Sequence, residues 1–427
     1  MAEEDFSLGD DTIVGGATTP FSPEVLKKQD EIVKNSLSAI DKAGIVTEED
    51  KKKLQKKKVD KVSTSVTAPT VSEDEEIESM ALDFNDFLQD KVDIDNEDGG
   101  NIDRLPTGID LLDAIAGGGF GCGTFGVIAG SPGTFKSALL AQIIGTSQKK
   151  FKGRMTASYH DAEVAMTRER LANMGVVRPQ IEPYTDVTIE NIFKTIAATI
   201  GFKEAKGIMD WPSIVGWDSI ANTETEKART TDDLNQTIGL KARMLSQLFP
   251  RYVHKMRKSK ITLLAVNQLR EKLEMGMFAP AADLQHMGNK DIPGGQSVKF
   301  NAFHLLMLKN KGDLKFDQYG FNGVRLEAVF IKNKFFRPNI PIMMLVDFNT
   351  GISNFWTNYN FLVDQKRIQA GAWNFLLSLP ENKFRTKDAL TLYNTDQSFK
   401  TEFDKQVKET IQQVILSRAP VAVQQTT

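Results

Sequence analysis

A glycine-rich loop between a strand and a helix is the sequence feature that most limits how this chain can fold. Val127, Ile128 and Ala129 form an apolar run typical of a buried strand, and the loop GSPGTFKS follows at residues 130–137. Residues 138–150 then predict a helix. Backbone N–H groups at the start of such a helix bind phosphate, so this order indicates a phosphate-binding loop of the G-x-x-x-x-G-K-[ST] type.

The motif indicates that the polar residues of the loop bind phosphate and Mg²⁺. Lys136 would reach the β- and γ-phosphates of a nucleotide, and the Ser137 hydroxyl would hold Mg²⁺. Phe135 departs from the pattern, because it stands where the second glycine is expected. Taken alone, the segment could also be an ordinary glycine turn. The candidate nucleotide contacts in the loop are Gly130, Ser131, Pro132, Gly133, Thr134, Phe135, Lys136, Ser137 and Ala138.

Three further apolar strands end in polar residues that complement this loop. Asp161 and Glu163 follow the first strand, where a carboxylate could orient water for attack on a γ-phosphate. Asp218 ends the second, where it would hold Mg²⁺ through the water shell of the ion. Asn267 and Gln268 end the third and could sense phosphate. Each signal is weak alone, but together they predict that the chain binds ATP and Mg²⁺.

Length and composition limit the class of protein. The chain has 427 residues, enough for one large core with smaller attachments, since single cores stop growing near ~250–300 residues. Its formal net charge of −3 gives no whole-molecule sign of nucleic-acid binding. Cys122 is the only cysteine, which excludes an internal disulfide. The acidic N-terminus and the lack of a run of ~18 apolar residues predict a cytoplasmic protein with no membrane partner.

Residues 1–100 differ from the rest of the chain, and we expect a partly disordered extension there. The spacing of apolar residues predicts helices over residues 23–46 and 77–88, either of which could dock on a neighbouring subunit or on the chain's own core. The six lysines between residues 51 and 58 could contact DNA or form a solvated face or linker. Residues 93–100 are acidic and end in glycine, as expected of a linker.

From Arg104 onward strands alternate with helices, which predicts an α/β core over residues 101–351 with a mostly parallel central sheet. Ligands of such sheets bind at the carboxyl ends of the strands, where the polar residues fall. The candidate strands after the loop are residues 154–159, 213–217, 261–266, 303–308, 326–331 and 342–346.

A different pattern follows residue 351. Predicted helices over residues 362–379 and 399–417, joined by a turn at 380–382, indicate a small α-rich domain over residues 352–418. Trp373 is its expected core anchor. Residues 419–427 are expected to form a flexible tail.

The motifs above, with several longer runs, are similar to those of RecA-family recombinases, and in particular of the phage UvsX-like branch, whose loop also places Phe before Lys. The resemblance covers residues 107–408. Beyond the loop and Glu163, it rests on residues 239–247, 267–270, 294–300, 332–334 and 370–373.

The resemblance implies a RecA-like P-loop ATPase core and a DNA-dependent ATPase. Such a protein forms helical filaments on single-stranded DNA, pairs it with homologous double-stranded DNA and exchanges strands in recombination and repair. ATP would lie between protomers of this homo-oligomer. A viral origin, and so a location on DNA in a host cell, follows only from the resemblance.

Roles carried over by position complete the expected site. Glu163 matches the catalytic glutamate of the family, and Gln268 matches the glutamine that links the γ-phosphate to the second DNA loop. Lys332 and Lys334 match lysines that reach the ATP of a neighbouring subunit, as an arginine finger supplied in trans does. With Lys136, these four residues are the expected catalytic set.

The resemblance places two DNA-binding loops near residues 230–239 and 269–293. Met277 and Phe278 could contact bases or merely anchor a mobile lid, and the acidic Glu271 and Glu274 argue against purely electrostatic binding. The expected DNA contacts are Ile238, Gly239, Arg243, Arg251, Arg270, Leu273, Met277, Phe278, Gly294, Gly295 and Lys299.

Two positions depart from the bacterial family. Arg170 stands where a tyrosine stacks on adenine, so it could stack its guanidinium on the base or be an ordinary exposed arginine. The acidic C-terminal tail of the bacterial family has no counterpart at residues 417–427. If an acidic segment inhibits the activity of this protein, the acid-rich N-terminus is the only candidate for it. Basic residues of the last domain could guide duplex DNA or be scattered surface charges: Lys366, Arg367, Lys383, Arg385 and Lys387.

Two other functions stay open at this level. A hexameric helicase-like motor would share the core fold and translocate along one strand. A DNA-coating scaffold would use the nucleotide only for assembly. The intact Lys136, Ser137, Glu163 and Asp218 argue against the scaffold, but Phe135, as a departure from the loop pattern, keeps that alternative open.

Overall fold

The computed structural model describes residues 102–176, 181, 183–231, 239–271 and 290–418, with the backbone alone at 270, 271, 290 and 291. The described residues lie within one compact unit. Several predictions fall outside them: the N-terminal extension with its two helices and lysine block, the tail at 419–427, most of both DNA loops, and Ile238, Leu273, Met277 and Phe278.

Strands and helices alternate through most of the described chain. The strands are β1 (Arg104–Leu105), β2 (Phe120–Gly121), β3 (Phe125–Gly130), β4 (Thr156–Asp161), β5 (Pro183–Tyr184), β6 (Ser213–Asp218), β7 (Ile261–Gln268), β8 (Arg270–Glu271), β9 (Lys290–Asp291), β10 (His304–Leu314), β11 (Gly323–Asn333), β12 (Pro341–Asp347), β13 (Gly351–Ser353), β14 (Ile368–Gln369), β15 (Asn374–Leu376) and β16 (Leu379–Phe384). The helices are α1 (Asp110–Ala116), α2 (Lys136–Lys150), α3 (Arg168–Asn173), α4 (Ile189–Lys206), α5 (Glu226–Thr230), α6 (Leu240–Lys258), α7 (Gln296–Asn301), α8 (Phe316–Tyr319), α9 (Asn354–Asp364), α10 (Ala389–Thr395) and α11 (Gln397–Val414).

The central sheet has nine strands among the described residues, in the order β13-β12-β11-β10-β3-β7-β6-β4-β5. Neighbours from β10 to β5 run parallel, and β11, β12 and β13 add antiparallel strands at one side. Strands of a parallel sheet are covered by helices on both faces, and their sequences are therefore apolar almost throughout. The predicted α/β class, the mostly parallel sheet and the six predicted strands are confirmed, with bounds shifted by a few residues.

Each face of the sheet packs against its own layer of helices. In β3 the buried Ile128 belongs to one apolar core, whereas its neighbours Val127 and Ala129 belong to the other, because successive side chains of a strand point to opposite faces. The first core includes α2 and extends into the C-terminal residues, and the second includes α4 and α6. Because the strands from β10 to β5 are parallel, their carboxyl ends lie at the same edge of the sheet.

The predicted helix over residues 362–379 is wrong. Helix α9 ends at Asp364, and β14, β15 and β16 follow as a three-stranded antiparallel sheet. Lys366 takes a left-handed backbone conformation with φ of 55°, which stops the helix there. The buried Asn374 then holds the next turn, because its side chain accepts from the Gly371 N–H and donates to Thr386 Oγ1.

Trp373 is also not a core anchor, since 53% of it is exposed. Its ring lies 5.3 Å from the guanidinium carbon of Arg385, a cation–π contact at the surface. The core of this part of the chain consists of other aromatic residues, namely Phe355, Trp356, Phe384, Phe399 and Phe403. No described helix is long and apolar enough to cross a lipid bilayer.

Candidate functional site

The register of the parallel strands brings the predicted polar residues to one edge of the sheet. Gly130 at the end of β3 pairs with Gln268 at the end of β7. Asp218 at the end of β6 pairs with Asp161 at the end of β4, and β6 and β7 are themselves adjacent. The four strand ends that the sequence singled out are therefore neighbours in space.

The phosphate-binding loop closes on itself through Lys136. The Lys136 Nζ donates to the Ser131 carbonyl at 2.8 Å, and Thr134 Oγ1 donates to the same oxygen at 2.8 Å. Burial lowers the pKa of Lys136, while the carboxylates of Asp218 and Glu163 act in the opposite direction. A cation held in place beneath a helix start is a suitable partner for phosphate oxygens.

Phe135 occupies the conformation for which the motif normally uses glycine. Its φ of 56° and ψ of 28° lie in the left-handed region, which a bulky residue rarely adopts. The Phe135 ring is packed against the first core and stacks on Phe348, with ring centroids 6.1 Å apart and planes at 12°. We infer that this contact offsets the backbone cost, so the missing glycine leaves the course of the loop intact.

Substitution of Phe135 separates the cost of its left-handed backbone from the contribution of its contact with Phe348. Phe135→Ala and Phe135→Gly both lose the contact with Phe348, but only alanine keeps a Cβ in the left-handed region. We expect Phe135→Gly to be the more stable variant by about 0.5–1 kcal/mol in the free energy of unfolding, measured by urea denaturation. Equal stability, or a more stable alanine variant, would show that the left-handed conformation carries no cost here.

Asp218 provides a buried carboxylate beside Ser137. Its Oδ2 accepts from the Tyr159 hydroxyl at 2.7 Å, whereas its Oδ1 is buried and has no hydrogen-bond partner. Burial raises the pKa of Asp218, and the nearby hydroxyls of Ser137 and Tyr159 partly oppose this. Burial and the Asp218 carboxylate likewise raise the pKa of Tyr159 well above its ordinary value.

An unsatisfied buried carboxylate oxygen next to a serine hydroxyl fits a Mg²⁺ site. Mg²⁺ in nucleotide sites is held by few protein ligands together with phosphates and waters. The described residues contain no group of three or more His, Cys, Asp or Glu side chains that could hold a metal ion. Asp218 Oδ1 would gain the partner that it lacks.

Glu163 is held by three donors on a single oxygen. Its Oε1 accepts from Gln268 Nε2 at 2.8 Å, from Asn222 Nδ2 at 2.9 Å and from Ser219 Oγ at 3.0 Å. Glu163 is exposed towards the cavity, whereas Ser219 is buried. The predicted catalytic carboxylate and the predicted sensor amide are thus in direct contact.

Asp161 has a different role from Glu163. It is buried, and its two oxygens accept from the backbone N–H groups of Glu163, Ala165 and Met166 at 2.6–3.0 Å. These bonds shape the turn that projects Glu163 from the end of β4. Of the two predicted carboxylates, the one at Asp161 therefore builds the turn and the one at Glu163 faces the cavity.

Lys136, Ser137, Glu163, Asp218 and Gln268 line a cavity of about 540 Å³. Arg170 lies in the same wall, and its Nη1 donates to the Ala165 carbonyl at 2.6 Å. Phe348 lines the cavity as well, and 56% of it is exposed. Arg170 therefore lines the cavity, as stacking on adenine would require, and the stacking itself stays a prediction. The other lining residues are Pro132, Gly133, Phe135, Lys136, Ser137, Ala138, Gln142, Glu163, Asn173, Met174, Asp218, Val266, Gln268 and residues 349–352.

Lys332 and Lys334 lie at the opposite edge of the sheet. His304, at the start of β10, pairs with Gly126 of β3 and with Asn333 of β11, so both lysines lie beside the amino-terminal end of β3. The strand from Gly126 to the loop at Gly130 spans four residues, or roughly 13 Å. The lysines therefore do not reach the cavity of their own chain.

Both lysines have partners at that edge. Lys332 Nζ donates to the carbonyls of Lys299 and Phe300 at 2.8 and 2.7 Å, and burial, followed by the charge of Lys334, lowers the pKa of Lys332. Lys334 Nζ lies 5.2 Å from the centre of the Phe303 ring. Lys334 itself is exposed.

Arg270, described by its backbone alone, lies in β8. The other described DNA-contact candidates lie on, or directly before, two helices that follow the predicted loops. Gly239 caps α6 with φ of 75°, and Arg243 and Arg251 are exposed on that helix. Gly294 and Gly295 precede α7, which carries Lys299. A Cβ on Gly294 would lie 2.6 Å from Val298 Cγ2, so this position requires glycine for space as well as for its φ of 98°.

Sequence reasoning gave no site role to Ser219 and Asn222, which hold Glu163, or to Phe348, which stacks on Phe135. Contacts between distant segments leave no pattern in one sequence. Asn267 was singled out as a possible phosphate sensor, but its Nδ2 donates to the Pro293 carbonyl at 2.8 Å, which ties the end of β7 to the far end of the second predicted loop.

Comparisons with known proteins identify the family that this chain resembles. A family model described as the RecA N-terminal domain matches residues 87–353. The chain is 27% identical over 277 residues to Protein RecA of Mycoplasma genitalium, covering 64% of this chain and 74% of that protein. It is 28% identical over 277 residues to Protein RecA of Clostridium acetobutylicum, covering 64% and 73% of the two chains. For Protein RecA of Helicobacter pylori strain G27 the values are 28% over 319 residues, with 73% and 84% covered.

Proposed function

Because the chain belongs to the RecA family, we propose that it is a DNA-dependent ATPase that forms helical filaments on single-stranded DNA. In this proposal it pairs the bound strand with homologous double-stranded DNA and exchanges strands, in recombination and repair. Within the family we favour the phage UvsX-like branch, because Phe135 precedes Lys136. One observation carries the proposal: Lys136, Asp218, Glu163 and Gln268, from four elements, line a single cavity.

The groups that line the cavity divide the work of ATP hydrolysis. The backbone of residues 130–137 and Lys136 bind the phosphates. Ser137 and Asp218 would hold Mg²⁺, which would supply positive charge to neutralise the phosphates. Glu163 orients the attacking water and accepts its proton. Gln268, at the end of β7, links the cavity to the second DNA loop.

The position of Lys332 and Lys334 supports an ATP site that two protomers share. The cavity lies at the carboxyl edge of the sheet and both lysines lie at the amino edge, so only a head-to-tail neighbour could bring them together. Head-to-tail contacts generate open helices, or rings when the rotation closes. Hydrolysis would then depend on assembly.

DNA binding in this proposal combines charge with stacking. Arg243, Arg251 and Lys299 would contact phosphates, each adding to the salt dependence of binding. In the second predicted loop, stacking of Phe278 on a base would add ~1–3 kcal/mol, and Met277 would wedge against bases. The expected location, the cytoplasm in association with DNA, stays a prediction.

Lys136→Ala tests the proposal most directly. Loss of a charged donor to phosphate should weaken ATP binding by about 10²-fold. We expect the variant to form no ATP-dependent filaments on single-stranded DNA under electron microscopy with a non-hydrolysable ATP analogue. Wild-type protein should form extended right-handed filaments under the same conditions.

Other images would identify the alternative functions. Closed rings of the wild-type protein would favour a helicase-like motor, and coating of DNA regardless of nucleotide would favour a scaffold. Stable ATP-driven filaments of Lys136→Ala would contradict the assigned role of the loop. ATP turnover with and without single-stranded DNA separates the motor from the scaffold, because the scaffold should show no stimulation.

A further inference from the structure

Asn222 connects Glu163 to the chain segment that follows β6. Its amide donates to Glu163 Oε1 at 2.9 Å, and it is one of three donors that meet on this oxygen. Gln268 reaches the same oxygen from the end of β7, directly before the second predicted DNA loop. Asn222 reaches it from the turn that leads through α5 to the first predicted loop. The two amides therefore bind one carboxylate from the approaches to two different loops.

The turn that carries Asn222 is fixed by the start of α6. Lys241 Nζ donates to the carbonyls of Ile220 and Ala221 at 3.0 and 2.9 Å. Lys241 is the second residue of α6, so it lies two residues after Gly239, where the first predicted loop ends. A shift at the start of α6 would be transmitted to the carbonyls that immediately precede Asn222.

A second cavity of about 450 Å³ lies beside this turn. It is lined by Asn222, Thr225, Leu240 and Lys241 among others, so it separates α5 from the start of α6. Asn222 thus stands between this space and Glu163. Among the described residues, the turn and the start of α6 therefore face each other across one cavity.

Resting on the function proposed above, we propose that Asn222 is a positioning residue that couples the first DNA loop to Glu163. The hydrogen bond from Asn222 fixes how the Glu163 carboxylate is turned, and so where its free lone pairs can meet the attacking water. Lys241 relays the position of α6 to Asn222 through the Ile220 and Ala221 carbonyls. Gln268 provides the corresponding link from the second loop.

The first test is ATP turnover of Asn222→Ala with and without saturating single-stranded DNA. We expect the DNA-stimulated kcat to fall about 10-fold, because the variant loses one hydrogen bond to a charged group. The KM for ATP should change by less than about 2-fold. DNA affinity, measured by fluorescence anisotropy, should stay at the wild-type value. Asn222 is exposed, and thermal denaturation should confirm an unchanged fold.

A double-mutant cycle with Lys241→Ala tests the relay. Lys241→Ala should lower the stimulation by saturating DNA in the wild-type background and have little further effect in the Asn222→Ala background, because both changes break one pathway. Asn360→Ala is the matched control. The Asn360 amide donates to Asp364 Oδ2 at 3.0 Å in an exposed hydrogen bond within α9, and ATP hydrolysis by this variant should be stimulated by DNA as in the wild type.

The outcomes separate the two proposals. If wild-type protein shows no ATP hydrolysis that DNA stimulates, the proposed function itself fails. If the wild type is stimulated and Asn222→Ala keeps the full stimulation, the role of Asn222 fails alone. Additive effects of Asn222→Ala and Lys241→Ala would likewise overturn the relay.

Discussion

Replacing Lys334 by alanine is expected to lower DNA-dependent ATP hydrolysis by about 10³-fold or more, the effect of removing a cation supplied in trans to a phosphoryl transfer site. Lys334 is exposed at the amino edge of the sheet, and the cavity with Lys136 lies at the carboxyl edge. The substitution therefore leaves the cavity of each protomer intact. ATP binding by the free protomer, measured by calorimetry, should not change.

A mixing experiment tests whether Lys334 acts in trans. Lys334→Ala keeps a complete cavity but lacks the lysine, and Glu163→Gln keeps the lysine but lacks the catalytic carboxylate. Head-to-tail contacts use different surfaces of the two protomers, so each interface takes its cavity from one protomer and its Lys334 from the next. In random 1:1 filaments, about a quarter of the interfaces would combine the cavity of a Lys334→Ala protomer with the lysine of a Glu163→Gln protomer. We expect the mixture to recover hydrolysis that neither variant shows alone.

Two further results would decide against this arrangement. Lys315→Ala removes another exposed lysine and should hydrolyse ATP as the wild type does, so a loss there would indicate a general effect of surface charge. A mixture as inactive as the separate variants, in filaments that both variants enter, would show that Lys334 does not complete the site of its neighbour.

The second large effect is expected for Glu163→Gln, which should lower the rate of hydrolysis by about 10²–10⁴-fold. Glutamine has the shape of glutamate, and its side-chain oxygen can still accept from Gln268, Asn222 and Ser219, which now bond to Glu163 Oε1. It cannot take a proton from water. ATP and DNA binding should therefore persist, giving filaments that form with ATP and do not turn over.

Single-turnover hydrolysis together with electron microscopy checks this result. Glu163→Ala is the informative contrast, because it would leave three donors without their acceptor and disturb the turn as well as the chemistry. Undiminished turnover by Glu163→Gln would show that another group activates the water. Asp161 is a poor substitute, since its oxygens already accept three backbone N–H groups.

Some of the fold and the site could be predicted from local sequence. The apolar runs of β3, β6 and β7 identify buried parallel strands, and the polar residues at their ends mark the ligand-binding edge. This inference works because parallel strands all end at the same edge, so Lys136, Asp218 and Gln268 meet even though they are far apart in the chain. Glu163 follows by the same rule.

Other features depend on contacts between distant segments, and only the tertiary structure decided them. Phe135 can replace glycine because Phe348, more than two hundred residues away, stacks on its ring. The predicted helix at 362–379 gives way to strands because a left-handed Lys366 ends α9 and Asn374 bonds across the next turn. A periodic pattern of apolar residues cannot register such long-range partners.

The placement of residues on opposite edges of the sheet is the clearest example of a feature that depends on the tertiary structure. Lys332 lies near the end of β11 and Lys334 directly follows it; since β11 is antiparallel to β10, both lysines lie away from the cavity. Asn222, which no motif marked, bonds to Glu163. Sequence determines which strands form and which residues end them, since those properties are local. Which ends share an edge, and which amide reaches which carboxylate, follows from the register of the assembled sheet.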